Sequence, residues 1–168
     1  MPFPVKGVAN AFLRRSFDDD VPVSPMKLQK LIFLAHGYHL AARNEPLIEE
    51  SFQAWPYGPV SEVLYQEFKN FGGGQIKELA EEVSFTDADE FEYMPVPAPS
   101  DEAARKVINF VWKRYNSWTA RELSDLSHKE GWAWDRVRDA SPGGRSVEIP
   151  DDYIKADFMP LVKKKTEA

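Results

Sequence analysis

Residues 24–43, SPMKLQKLIFLAHGYHLAAR, set the terms on which the rest of the chain must fold. Ser24 followed by Pro25 is a helix start: a serine hydroxyl accepts an orphan backbone N–H, and proline suits the first helical position because its missing donor is not needed there. At 100° per residue, Leu28, Leu31, Ile32, Ala35, His39 and Ala42 share one face, while Met26, Phe33 and Leu40 lie on nearly the opposite one. Polar side chains are confined to Lys27 and Lys30 near the start and to a strip of Gln29, His36 and Arg43. A helix apolar on two faces needs neighbours on both sides. The expected architecture is a helical bundle around a central helix near residues 25–43.

The remaining segments supply those neighbours. Pro4 to Phe17 reads as a flanking helix that stops before Asp18-Asp19-Asp20, since carboxylates are unfavourable at a helix C-terminus. Asn44-Glu45-Pro46 breaks the spine, and Leu47-Ile48 with Phe52 to Trp55 offer a short hairpin or ribbon. Pro59 to Phe71 reads as a helix stopped by Gly72. Residues 72–100 carry short strands around Gln75-Ile76 and Glu90 to Met94, then a polyproline-like connector. Ser100 caps a helix from Asp101 to Tyr115. Thr119 and Glu122 form a capping box for another helix reaching His128, and Trp132 to Arg138 is a further short one. A loop at 141–144 precedes a last helical segment, 149–164, interrupted at Pro160. The reading is mainly α with a small β element (α+β), one domain over residues 1–168.

Charge and composition exclude several functions. A net charge of −6 weighs against a phosphate-binding surface, and the run Lys163-Lys164-Lys165 reads as a solvated tail. With no cysteine, disulfides, thiol catalysis and thiolate zinc sites are impossible. The N-terminus lacks the basic-then-apolar layout of a signal peptide, and no apolar run is long enough to span a bilayer. A cytoplasmic protein without a membrane partner is expected.

The chemical candidates are few. His36 and His39 lie on adjacent turns, but no third ligand accompanies them, so no metal is expected and His39 reads as a hydrogen-bonded core histidine, with His36 on the polar strip. Gly72-Gly73-Gly74 follows a helix and precedes no Lys-Ser/Thr, the wrong order for a phosphate cradle. Glu67 lies near the centre of an apolar stripe made by Val60, Val63, Leu64 and Phe71, and therefore needs a partner such as Lys30 or a helix N-terminus. His128 and Glu130 stand beside Trp132 and Trp134, with Ser124 and Ser127 one turn earlier; the plain reading is a helix end closed by His128 and covered by a tryptophan. No catalytic set and no cofactor motif emerges.

The stretch AWPYGPV, residues 54–60, asks for more. Gly58 permits a sharp turn and Pro59 a stiff exit, as in a strand-to-helix corner with one aromatic in the core. Rigid aromatics crowded at a corner also make good interface anchors, because they lose little entropy on docking. Three segments, KLQKLIFLAHGYHLA (27–41), FQAWPYGPVSEVLYQEFKNFG (52–72) and VINFVWKRYNSWTARELSDLSHKEGWAWDRVRD (107–139), resemble, in order, the Panacea or SocA-like antitoxin domain family. The match is strongest over 25–139, and AWPYGPV and LSHKEGWAW are its specific pieces. Phe33, His36, Ser127 and Trp132 depart from the usual residues while keeping size or hydrogen bonding.

The resemblance implies a protein that neutralises a protein toxin by direct contact, the toxin being encoded by an adjacent gene. Some members are proposed to deliver a toxin to a protease. It brings no catalytic residues and no cofactor. The contact surface expected here joins Trp55, Tyr57, Gly58 and Pro59 to His128, Glu130 and Trp134. Two other readings stand beside it. One is a small-ligand binder or enzyme using His128, Glu130 and Glu67, which requires a shared pocket. The other is a DNA-binding regulator, which the acidic balance opposes.

Overall fold

The computed structural model describes residues 1–140 and 147–162, and it is mainly helical with a small antiparallel sheet. The spine forms as expected: helix α2 spans Pro25–Arg43, with the Ser24 side chain accepting from the Lys27 N–H. From Lys27 to Leu40 every residue except Tyr38 is buried. Around α2 pack α1 (Val5–Asp19), α3 (Glu62–Phe68), α4 (Glu102–Tyr115), α5 (Ala120–Ser127) and α7 (Asp151–Phe158), while α6 (Ala133–Ala140) rests on α7. Gly37 is required by the approach of α7: a Cβ there would lie 2.3 Å from the Phe158 ring, so the absence of a side chain lets the last helix sit on the spine.

Strands β1 (Phe52–Trp55), β2 (Gly58–Val60) and β5 (Glu148–Ile149) form a sheet in the order β2-β1-β5, and β3 (Glu81–Phe85) pairs with β4 (Phe91–Pro95) in a separate ribbon. The first sheet corrects two expectations. β1 pairs not with Leu47-Ile48 but with residues 58–60, and Ile48 instead bridges Phe3 in parallel. Pro59 lies in β2 rather than in the helix. It is tolerated there because β2 is an edge strand, and its partner Ala54 turns its own N–H the other way, to Val147 O at 2.9 Å. The helix start moves to Ser61, whose hydroxyl accepts from the Leu64 N–H. The helical stretch then ends in a short 3-10 turn, Lys69–Phe71.

Other boundaries shift as well. α1 runs through Asp18 and Asp19 because the Asp19 carboxylate accepts the Trp112 indole N–H at 2.7 Å, and Asp20 takes the left-handed C-terminal position, its N–H reaching Ser16 O. Asp101, not Ser100, caps α4, accepting from the Ala104 N–H at 3.0 Å. No strand forms at Gln75-Ile76; the Ile76 N–H goes to Val23 O, and β3 begins at Glu81. The capping box at Thr119 and Glu122 is present as expected. The last helix starts at Asp151 after the strand Glu148–Ile149, and Pro160 lies in a 3-10 turn, Met159–Leu161. The loop at 141–144 and the Lys163–Lys165 run lie outside the described residues.

Both spine histidines are in the core, which corrects the placement of His36 on a polar strip. His36 is 1% exposed. Its Nδ1 accepts from the backbone N–H groups of Leu47 (3.2 Å) and Ile48 (3.4 Å), so the proton is on Nε2, which lies 2.8 Å from Asp151 Oδ1. The ring thereby ties the spine to the 47–48 segment and to the start of α7. His39 Nδ1 donates to Glu45 O at 2.6 Å.

Candidate functional site

The sequence corner at residues 54–60 is a two-residue hairpin turn. Trp55 pairs with Gly58, leaving Pro56 and Tyr57 at the tip. Pro56 fixes its own φ, and the left-handed φ of +114° falls on Gly58, where a glycine has no steric penalty. Trp55 is the aromatic that fills the core, at 6% exposure, while Tyr57 is 71% exposed.

The spine grips this turn from below with the two polar residues that follow Lys27-Leu28. The Gln29 side-chain amide donates to Ser61 O and accepts from Ser61 N–H, both at 2.9 Å, as a neighbouring strand would. Lys30, 1% exposed, donates its Nζ hydrogen to Pro59 O at 3.2 Å. Among the described residues no carboxylate forms an ion pair with it, and burial pushes its amine down to about 7. The expected Glu67–Lys30 pair is therefore not made. Glu67 Oε2 accepts the Glu81 N–H at 2.8 Å and Oε1 lies 3.5 Å from Lys6 Nζ, because α3 turns that face toward α1 and β3.

Helices α5 and α6 hold the turn from the other side. Ser124 Oγ donates to Tyr57 O at 3.1 Å, and the Trp134 indole N–H donates to Trp55 O at 2.6 Å. His128 follows α5 as its C-terminal cap residue. Its Nδ1 lies 2.5 Å from Ser124 O, which only accepts, so the proton is on Nδ1. Its ring meets Trp134 edge-on, centroids 4.1 Å apart at 77°. A Cβ at Gly58 would stand 2.4 Å from Lys30 Nζ, 3.1 Å from Ser127 Oγ and 3.2 Å from His128 Cε1. The bare backbone of Gly58 is thus the wall between the buried amine of the spine and the end of α5.

Six of the seven residues expected at a contact surface come together here: Trp55, Tyr57, Gly58, Pro59, His128 and Trp134. Glu130 does not join them. It is exposed, and among the described residues no hydrogen bond or ion pair ties it to the cluster. Beside the turn lies a groove of about 340 Å³ whose apolar lining includes Met26, Trp55, Tyr57, Val60 and Tyr65. Trp55 and Tyr65 meet edge-on at 4.9 Å. Met26, read from the sequence as part of the spine's second apolar face, is instead 39% exposed at this groove, and Tyr65, which lies off the apolar stripe of α3, had no expected role.

The cluster has the chemistry of a clamp. Ser127 Oγ donates to Ser124 O at 2.8 Å and Ser124 Oγ to Tyr57 O, so neither hydroxyl gives its proton to His128 and no serine nucleophile is set up. Glu67 is committed to Lys6 and β3, in a hollow with Phe68 and Tyr93 that His128 does not line. The hollow that Glu67 lines thus contains neither His128 nor Glu130, which a shared His128–Glu130–Glu67 site would bring together. Among the described residues no group of three or more histidines and carboxylates able to hold a metal occurs, and among them no helix is long and apolar enough to cross a membrane.

Comparison with known proteins adds to this geometry. A family model described as the SocA-like antitoxin, Panacea domain, matches residues 28–135, from the spine to the first turn of α6. A protein of Caulobacter vibrioides described as Antitoxin SocA is 31% identical over 156 residues, covering 91% of this chain and 81% of its own length. No solved structure matches the chain.

Proposed function

The chain belongs to the SocA-like Panacea antitoxin domain family, and from that premise we propose that it is an antitoxin that binds and neutralises a cognate protein toxin through the shoulder built on the β1–β2 turn. The observation that carries the proposal is Tyr57. It is a large aromatic, 71% exposed, at the tip of a turn whose backbone is anchored by Lys30, Ser124 and Trp134 and which borders an apolar groove. A protruding aromatic on an immobilised backbone docks at low entropic cost, which is the physics of an interface hot spot. Neutralisation of this kind is binding in the cytoplasm and asks for no bond-making by this chain.

The toxin is sought in the product of the adjacent gene. Co-expressed with this chain, that product loses its toxicity. Tyr57→Glu, which alters an exposed side chain and leaves the clamp intact, abolishes rescue and pull-down while the thermal midpoint stays within about 2 °C, as expected of a surface substitution. Full rescue by Tyr57→Glu places the contact elsewhere. A harmless neighbour removes the proposal. If the toxin's level falls when the chain is present, and recovers in a protease-deficient host, the chain delivers the toxin for degradation rather than blocking it.

A further inference from the structure

The β3–β4 ribbon plays no part in the shoulder, yet it is built to present something. Its register places Val83 opposite Tyr93 and Phe85 opposite Phe91, so all four side chains stand on one face. They are 53%, 73%, 63% and 74% exposed, and the two phenylalanine rings lie 5.2 Å apart. An isolated two-stranded hairpin is marginal in water, but this one is fixed at its root. Asn10 on α1, fully buried, accepts the Ala80 N–H at 2.7 Å and donates to Ala80 O and Val96 O, both at 2.9 Å. Lys6 donates to Glu81 O at 2.9 Å and pairs with Glu82 at 3.0 Å. Three hydrogen bonds of a buried amide thus hold the base of a ribbon whose aromatic face is left in water. A contiguous exposed apolar face of this kind marks an interaction surface.

Charge selects the occupant. Residues 78–100 contain seven carboxylates and no lysine or arginine. Two copies packed face to face would bring two such rims together, a like-charge contact that opposes association. At the root, Glu67, Glu78, Glu81 and Tyr93 line a hollow of about 300 Å³ together with Phe68 and Phe71; Glu67 is already held by Lys6, which leaves Glu78 and Glu81 for an incoming cation. That lining suits a long basic side chain, which lays its methylenes on the rings and its charge against the carboxylates. We propose that the Val83–Phe85–Phe91–Tyr93 face is a docking surface for a basic polypeptide segment with apolar residues interleaved with lysine or arginine. The surface is separate from the shoulder, and the inference does not rest on the antitoxin reading.

The test uses the full chain, labelled with ¹⁵N, and two synthetic peptides of equal length, one alternating Lys and Val and one alternating Glu and Val. The Lys-Val peptide shifts the amides of residues 81–95, binds at least tenfold more tightly than the Glu-Val peptide, and weakens severalfold as salt is raised from about 50 to 300 mM. The folded Phe85→Ser/Tyr93→Ser variant loses tenfold or more of that affinity. Equal binding of the two peptides, shifts confined to other regions, or affinity unchanged in the variant overturns the inference. So does a concentration-dependent dimer, seen by sedimentation, that the variant abolishes, since the occupant would then be a second copy.

Discussion

The two ribbons of this fold share a secondary structure and differ in what surrounds them. β1–β2 is the shorter, with three aligned pairs, yet Phe52, Ala54 and Val60 are buried, and polar contacts arrive from Lys30, Ser124 and Trp134. β3–β4 has five aligned pairs, but its aromatics face solvent and its outside anchors gather at the root, around Asn10 and Lys6. Strand register therefore sets the shape of a ribbon, while the neighbours it meets decide which of its faces is dry. In one ribbon the scaffold immobilises the tip; in the other it immobilises the base and leaves the tip alone.

Substitutions in each ribbon test that contrast. The largest effect is expected at Gly58. Alanine there is strained at φ +114° and displaces Lys30 Nζ from Pro59 O, for a loss of about 3–4 kcal/mol, read as a lower denaturant midpoint at unchanged slope. A loss below about 1 kcal/mol, the ordinary scale of surface changes, would mean that the turn is not clamped.

Lys30→Met comes next, with a sign that depends on pH. In the folded chain the amine titrates near 7, against a usual 10.5. Below the folded value it is charged in both states and the full burial cost is present. Between the two values the unfolded chain binds the extra proton, so stability rises with pH. Above 10.5 both states are neutral and the cost is gone. After the lost hydrogen bond to Pro59 is set against this cost, methionine should gain about 2 kcal/mol near pH 6. The advantage should shrink on approach to pH 10, as followed by urea melts across the range. A gain independent of pH would show that the amine is not desolvated. The smallest effect belongs to the other ribbon: Phe85→Ser with Tyr93→Ser should move stability by no more than about 0.5 kcal/mol, since both rings are already in water. A larger loss would mean that the aromatic face packs on the protein itself.

Much of the fold was legible because it rests on local rules. The Ser24-Pro25 start, the two-faced apolar pattern of the spine and the Thr119–Glu122 capping box each depend on residues a few positions apart. The errors came where a distant partner intervened. Asp18 and Asp19 stay helical because Trp112, 93 residues from Asp19, donates to the Asp19 carboxylate. Pro59 becomes a strand residue because it borders an edge, which no local pattern announces. His36 looked like part of a polar strip, and its burial is bound up with the backbone of Leu47 and Ile48 and the carboxylate of Asp151. The β3–β4 face was hidden for the same reason: only Glu90 to Met94 was read as a strand there, and that Val83 and Phe85 stand opposite Tyr93 and Phe91, exposed, follows from strand pairing and packing.

At the shoulder the same division holds. Its ingredients, a Pro-Tyr-Gly-Pro turn and a helix end bearing His128 and Trp134, could be picked out one by one, since backbone preference and side-chain chemistry are properties of the residues themselves. That they meet was expected, since both segments should pack on the spine, but the contacts that join them were not legible. Trp134 Nε1 reaches Trp55 O across 79 positions, and Lys30 Nζ reaches Pro59 O across 29. The pairing of Lys30 with a carbonyl instead of a carboxylate, and the burial of Trp55 while Tyr57 stands in solvent, follow from how α2, α5 and the sheet pack. Dihedral preferences and caps act over a few residues. Desolvation and hydrogen-bond partnership depend on what the folded chain brings within 3 Å or so, and no short stretch of sequence carries that information.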